Sequence, residues 1–485
     1  MSTLIKGGTV VTEEQAYRAD IAIADGRIVQ LGDDLAARPG VTVIDATEKL
    51  VLPGLIDTHV HFQLPFCGMV SKDDFIRGSQ AAACGGVTTF IDFATQERGE
   101  SLVSAVERRK AQAVGATCVD FALHATITDW SERTAAEVES VVRAGIPSFK
   151  MYMIYRDEGW MASDSDLYFA LRETAKHNAL VEVHAENVDI IDALVEQALA
   201  DGTWESQGAY AHYLTRPAFT EAEAVQRAVM LARETGGTLV VVHTSSSLGL
   251  DEIARGKSQG VRVLAETCPQ YLLLDASTYQ DRERGHLFAT CPPVRQEQDR
   301  EALWKAAATG GIDFIGTDTC TFDRAQKDTW DGVFSKIPFG LPGVETLLPL
   351  VFTRGYLEGR FSLERLVALT STNAARTFGL YPRKGTICCG SDADLVVVDP
   401  KKEAAVDWRE LRTNSDWSPY QGMNLRGWPE FTMCRGRVVA RWREPLGEAG
   451  WGRFIPGYLA KNPDVPGHAI SATVSEGGAS QRGKG

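Results

Sequence analysis

Through the middle of the chain, short apolar runs of strand length alternate with longer stretches whose apolar residues recur at helical spacing. Eight runs read as strands: GLIDTHVHF, GVTTFIDFA, CVDFALHATI, IPSFKMYM, ALVEVHAE, TLVVVHTS, VRVLAETCP and IDFIGTDTCTF. Between them lie helical stretches such as SLVSAVERRKAQAVG, DLYFALRETAKHNA, EAEAVQRAVMLARETGG and EALWKAAATGG. Several end in glycine, which supplies a left-handed cap before the next strand. Eight strand–helix repeats predict an α/β fold, a (β/α)8 TIM barrel over residues 54–379, with a doubly wound open sheet as second choice. The flanks differ in texture. STLIKGGTVV, ADIAIADGRIVQLG (with Asp25–Gly26 as a hairpin turn) and VTVIDATEKLVLPG read as short strands, and GSDADLVVVDP and FTMCRGRVVARW repeat the pattern near the other end. Residues 1–53 and 380–460 are expected to form one small β-sandwich-like domain, with 461–485 a flexible tail or an arm on a neighbouring subunit.

Composition narrows the class. The 485 residues are 44% apolar and 24% charged, as in a water-soluble globular protein, and a net charge of −14 argues against nucleic acid as partner. No run approaches the ~18–20 apolar residues of a membrane span, and MSTLIKGGTVV lacks the features of a signal peptide. Nine cysteines without regular CxxC spacing read as reduced thiols in a cytoplasmic protein, the Cys388–Cys389 pair included.

In such a barrel the active site lies at the carboxyl ends of the strands. His59 and His61, one residue apart at the end of the first run, point the same way. Two imidazoles there are costly unless something binds them, and a metal would. Lys150 ends the fourth run, His184 the fifth, His243 the sixth and Asp318 the eighth. Four histidines and an aspartate at one barrel mouth point to a metal centre. His124, His177, His212, His286 and His468 have no comparable placement and read as structural or surface residues. Imidazole with carboxylate suits Zn2+ first, with Mn2+, Co2+ or Fe2+ possible. Five such ligands exceed what one tetrahedral zinc needs, so two ions sharing a bridge, ~3.5–4 Å apart, fit better. No acid ends the fourth run, and Glu182 shares the face of His184 but lies deeper. Lys150 itself, as an ammonium without a lone pair, reads from the residues alone as a strand cap or an acid's partner.

With these residues placed, residues 3–460 resemble the cyclic amidohydrolases: dihydropyrimidinases, hydantoinases and, more distantly, allantoinases. The resemblance rests on GLIDTHVHFQLPF, GVTTFIDF, SFKMYM, VHAEN, ETCPQYL, CPPVR, GTDTCTF, LTSTNAARTFGLYPRKG and GSDADLVVVDP. It implies that Lys150 reacts with CO2 to give an N6-carboxylysine whose two oxygens bridge the metals. His59, His61, carboxylated Lys150 and Asp318 would then hold one ion, and Lys150, His184 and His243 the other. Water activated between the cations would attack the ring amide, with Asp318 as base and then acid, and Tyr155 steadying the oxyanion. Ring contacts are implied through the main chain near Cys291 and Phe339 and through the loop after His243. The activity implied is the opening of a small cyclic amide to an N-carbamoyl amino acid, and the assembly a homotetramer.

The chain departs from the commonest dihydropyrimidinase pattern at Cys291 (usually Ser), Phe339 (usually Asn) and Thr319 (often Asn or His). AYAHYLTRPAFTEAEAVQRAVMLA, PGVETLLPL and GWGRF look more like the allantoinase and L-hydantoinase branch, whereas Tyr155, FQLPFCG and DTCTF favour dihydropyrimidinases and D-hydantoinases. Phe66, Met69, Tyr152 and Trp160 are expected to form a lid favouring an apolar or aromatic ring substituent, since burial contributes ~25 cal/mol per Å2. Allantoinase is the rival activity. A non-catalytic scaffold of the same fold predicts missing ligands, and all six are present.

Overall fold

The computed structural model describes residues 2–459; His468 and the tail expected from residue 461 lie outside the described residues. All eight runs form strands: Leu55–Val60, Val87–Thr95, Asp120–Thr126, Ser148–Tyr152, Leu180–His184, Thr238–Val241, Val263–Thr267 and Phe314–Ile315. They lie side by side in chain order, each neighbouring pair parallel. Parallel strands covered on both faces must be apolar almost throughout, and every residue of Leu55–Val60, Asp120–Thr126 and Leu180–His184 is buried. The last strand returns to the first. Val60 bridges Thr319 in parallel, the His61 N–H donates to the Thr319 carbonyl at 2.8 Å, and the Thr319 N–H donates to the His59 carbonyl at 3.3 Å. That seam closes the barrel and excludes the open doubly wound sheet.

Local chemistry sets the intervening helices. Ser101, Ser131 and Ser163 accept the backbone N–H groups of Ser104, Thr134 and Asp166 at three helix starts. Gly236 and Gly310 end two others at φ 69° and 90°, a conformation open to glycine without strain. Inside, Ile56, Ile91, Ala122, Leu180, Val240 and Phe314 form one buried cluster with Phe378, Leu380 and Ile455. The polar side chains gather beyond it, at the carboxyl ends.

Both chain ends join one nine-stranded sheet. Ser2–Val11, Ala16–Ala24, Arg27–Gly32, Thr42–Asp45 and Leu50–Pro53 come from the first part, and Leu395–Val398, Pro429–Cys434, Arg437–Arg441 and Glu444–Pro445 from the last. The join is antiparallel, Leu50–Pro53 against Leu395–Val398. Asp25 and Gly26 make the expected two-residue turn, both at positive φ, with Ala24 paired to Arg27. A buried charge cluster ties this sheet to the barrel. Lys384 Nζ lies 2.5 Å from Asp120 at the start of the third barrel strand, 2.5 Å from Asp394 and 3.1 Å from Asp392. Arg435 Nε adds a second cation 3.0 Å from Asp120. All nine cysteines are free. Among the described residues no helix is long and apolar enough to cross a membrane.

Candidate active site

The barrel mouth forms a small cleft, partly open to solvent, whose wall includes all six expected ligands: His59, His61, Lys150, His184, His243 and Asp318. His59, Lys150 and His184 lie within their strands, whereas His61, His243 and Asp318 stand just past the ends of theirs. The backbone turns sharply to present them. His243 and Asp318 adopt left-handed φ values of 39° and 52°, and Tyr155 adopts 65°. Non-glycine residues hold such conformations only where the surroundings enforce them, commonly at functional sites. The pairing register also shifts between Asp57 and Val60, the part of the first strand that carries His59.

The donor atoms converge. Nε2 of His59 and Nε2 of His61 each lie 3.3 Å from Asp318 Oδ1. The His184 and His243 ring centres are 4.4 Å apart, and His59 and His243 are 5.4 Å apart. Burial, together with the facing Lys150 and neighbouring histidines, holds His59 and His243 well below the ordinary imidazole range. They are therefore neutral at pH 7, the form that ligates metals. His61 Nδ1, His243 Nδ1 and Lys150 Nζ are buried with no hydrogen-bond partner among the described residues. Unsatisfied buried nitrogens are costly. Lys150 is wholly buried, near the rings of Phe93 and Tyr152, and burial pushes its amine down to about 8 against the pull of Glu182 and Asp318. Lone-pair donors with nothing to bind, beside a carboxylate, fit a metal-binding centre.

Two acids that the sequence reading left without a role stand behind the histidines. Glu266 accepts from His59 Nδ1 at 2.8 Å and from the His243 backbone N–H at 3.1 Å. Glu186 accepts from His184 Nε2 at 2.7 Å. Such carboxylates fix the ring tautomer: His59 is left to present Nε2, and His184 to present Nδ1. Both acids fall inside motifs already singled out, ETCPQYL and VHAEN; Glu186 two residues after His184 and Glu266 near the end of the seventh strand were the available signals. The remaining described histidines take other partners. His124 bonds to Ser148 and the Thr58 carbonyl inside the barrel, His212 to the Thr290 carbonyl, His286 to Asp328, and His177 lies 3.5 Å from Glu173.

Tyr155, Cys291 and Phe339 all line the cavity. Cys291 Sγ donates to Glu186 at 3.1 Å. The Phe339 ring stacks on His212 at 4.9 Å, with the Arg216 guanidinium 5.2 Å from its centre. Of the lid residues, Phe66, Tyr152 and Trp160 reach the wall, and Phe66 and Tyr152 each pack on Trp160 with ring centres 5.4 and 5.3 Å apart. Met69 does not itself line the cavity; paired across from Phe66, it packs in the same apolar cluster as Phe66 and Trp160. Thr319 is taken up by the barrel seam and by a 2.7 Å hydroxyl bond with Thr317.

Comparison with known proteins agrees with this geometry. Residues 50–439 match the family model described as Amidohydrolase family. The chain is 41% identical over 472 residues to a D-hydantoinase of Geobacillus stearothermophilus, covering 96% of this chain and 99% of that one. It is 38% identical over 460 residues to a D-hydantoinase of Ralstonia pickettii, covering 94% and 98%. Among solved structures, the dihydropyrimidinase from Brevibacillus agri NCHU1002 superposes with a TM-score of 0.92 at 38% identity, covering 95% of this chain and all of that one.

Proposed function

The chain belongs to the amidohydrolase family and is a hydrolase of cyclic amides, hydantoinase or dihydropyrimidinase in kind; from that premise we propose how its barrel mouth opens dihydropyrimidines or 5-substituted hydantoins to N-carbamoyl amino acids. The names of the relatives favour this reading over allantoinase, and six converging ligand-type side chains favour it over a non-catalytic scaffold. His59, His61, Lys150 and Asp318 would hold one divalent ion, and Lys150, His184 and His243 a second, Zn2+ first, with Mn2+ or Co2+ as alternatives. When bound, the ions supply Lewis acidity and make water nucleophilic near neutral pH.

The protein's own groups do the rest. The Lys150 amine, brought down to about 8 by burial, is neutral far more often at pH 7 than an ordinary lysine. A neutral amine attacks CO2 and releases one proton, which yields the anionic carbamate. That exchange replaces a buried, unpartnered cation with a two-oxygen anion among metal ligands. Asp318, beside both His59 and His61, takes the proton from the attacking water and returns it to the departing ring nitrogen. Tyr155 donates its phenol to the developing oxyanion. Burial and the nearby Cys291 and Glu186 hold its hydroxyl well above the ordinary range, so it stays a donor. Main-chain groups near Cys291 and Phe339 position the ring, and Phe66, Tyr152 and Trp160 receive its substituent. A homotetramer in the cytoplasm is the matching assembly and location.

The observation that carries the reading is the buried, partnerless Lys150 amine within the histidine–aspartate ring. The test is a panel of dihydrouracil, hydantoin, 5-phenylhydantoin and allantoin, with metal analysis and a mass measurement of the Lys150 peptide under native conditions. Hydrolysis of hydantoins or dihydrouracil, two metals per chain and a carboxylated Lys150 are expected. A preference for allantoin, or fewer than two metals beside an unmodified amine, overturns it.

A further inference from the structure

Next to the catalytic cavity, three different soft and hard donors already touch. His184 ends the fifth barrel strand, Glu186 lies two residues on, and Cys291 comes from the loop that carries the ring-binding main chain. The His184 Nε2 to Glu186 Oε2 distance is 2.7 Å, Cys291 Sγ to Glu186 Oε2 is 3.1 Å, and Cys291 Sγ to His184 Nε2 is 4.0 Å. All three side chains are at most 5% exposed. The second Glu186 oxygen, Oε1, is buried without a hydrogen-bond partner among the described residues. Ligand atoms round a tetrahedral ion with bonds of ~2.0–2.3 Å lie roughly 3.3–3.7 Å apart, so shifts of a few tenths of an ångström bring this trio into position.

We propose that Cys291, Glu186 and His184 form a second, inhibitory site for a thiophilic divalent cation such as Cd2+ or excess Zn2+. A thiolate and a carboxylate together neutralise the dication in a buried place, and sulfur selects soft cations over Mg2+ or Mn2+. His184 and Cys291 line the catalytic cavity, which is the route in. Arg216 and Arg295 stand near Glu186 and oppose any cation, so the affinity rests on the sulfur. Binding has a defined proton balance. The thiol proton leaves to solvent as Sγ bonds the ion, and the His184 proton moves from Nε2 to Nδ1 as Nε2 bonds it, which in the holoenzyme breaks the bond from Nδ1 to any catalytic ion. One proton is therefore released per cation. Nδ1 is the nitrogen that Glu186 otherwise leaves with a free lone pair for the catalytic centre. Occupation of the second site and catalytic use of His184 exclude one another.

The inhibition, though not the binding, rests on the function proposed above. Cd2+ is titrated into the holoenzyme while the cadmium–thiolate ultraviolet band, proton release in weak buffer and hydantoin hydrolysis are followed together. The first equivalent should produce the band, release one proton and lower turnover at least tenfold. Cys291→Ser should abolish that band and raise the Cd2+ needed for half-inhibition at least tenfold. Should that variant not fold, Glu186→Gln serves, with the band displaced to at least tenfold higher Cd2+. A Cys388→Ser/Cys389→Ser double variant, which changes the two thiols on the sheet side, should behave as the parent. An unchanged band and inhibition in Cys291→Ser, or inhibition without a band, overturns the site. If no hydantoin is hydrolysed at all, the proposed function fails, and the band and proton release still judge the site.

Discussion

Lys384 and Lys150 are both buried lysines, at 1% and 0% exposure, yet they sit in different electrical surroundings. Burial alone would push Lys384 down, but Asp120, Asp394 and Asp392 outweigh it and hold its amine above the ordinary lysine range. Around Lys150 the carboxylates of Glu182, Asp318 and Glu266 pull the same way but none bonds the amine; burial wins, and the amine falls to about 8. One ammonium is fully compensated and joins barrel to sheet. The other is left reactive, with its nitrogen unbonded. The Asp120, Asp394 and Cys434 group could geometrically hold a metal, but Lys384 and Arg435 already satisfy its carboxylates. The difference separates a structural charge cluster from a chemical one without reference to any ligand: count which buried polar atoms still lack a partner.

The contrast can be broken most severely at Lys150. If Lys150 holds both ions as proposed, Lys150→Ala should lose most of its metal and lower kcat/KM by on the order of 10^3-fold or more. Two metals and normal turnover in that variant would remove the bridge. Lys384→Ala comes next. Removing one partner of a buried ion cluster costs about 3–5 kcal/mol, to be read as a lowered denaturation midpoint, while metal per folded chain stays at the parent level. A loss of metal instead would show that the cluster supports the site directly. Glu266→Gln should weaken metal binding by roughly 10–100-fold through His59, measured by competition with a chelator; an unchanged affinity would make Glu266 a packing residue. The smallest effect concerns a third buried lysine. Lys327 donates to the carbonyls of Ala289 and Pro338, and burial pushes it down to about 7. Between pH 7 and the ordinary lysine value of 10.5 the unfolded chain holds a proton that the folded one has released. Stability therefore rises with pH across that window. Lys327→Met should flatten this rise in denaturant titrations at pH 7 and pH 9.

The apolar runs made the barrel legible because parallel strands buried on both faces leave an unbroken mark in the chain. The histidine doublet was legible for the complementary reason: polar residues ending such runs need a purpose. What could not be read was backbone geometry. His243 and Asp318 face the cavity from left-handed backbone positions, which no side-chain pattern announces. Glu186 and Glu266 escaped because an acid at or just past a strand end looks like ordinary solvation until the imidazole beside it is placed. Met69 reads as lid by position, and it packs with the lid residues Phe66 and Trp160 without itself lining the cavity. The pairing of Leu50–Pro53 with Leu395–Val398 is likewise invisible to local pattern, since the partners are separated by the whole barrel.

The seam between the first and last barrel strands bears on how the molecule comes into being. His59 and His61 are among the early residues to leave the ribosome, and Thr319 and Asp318, which face them across the seam, emerge only after some two hundred and fifty more. A half-made chain thus offers two naked imidazoles and no carboxylate opposite. The contact of both imidazoles with Asp318 therefore forms only once the last strand closes the cylinder.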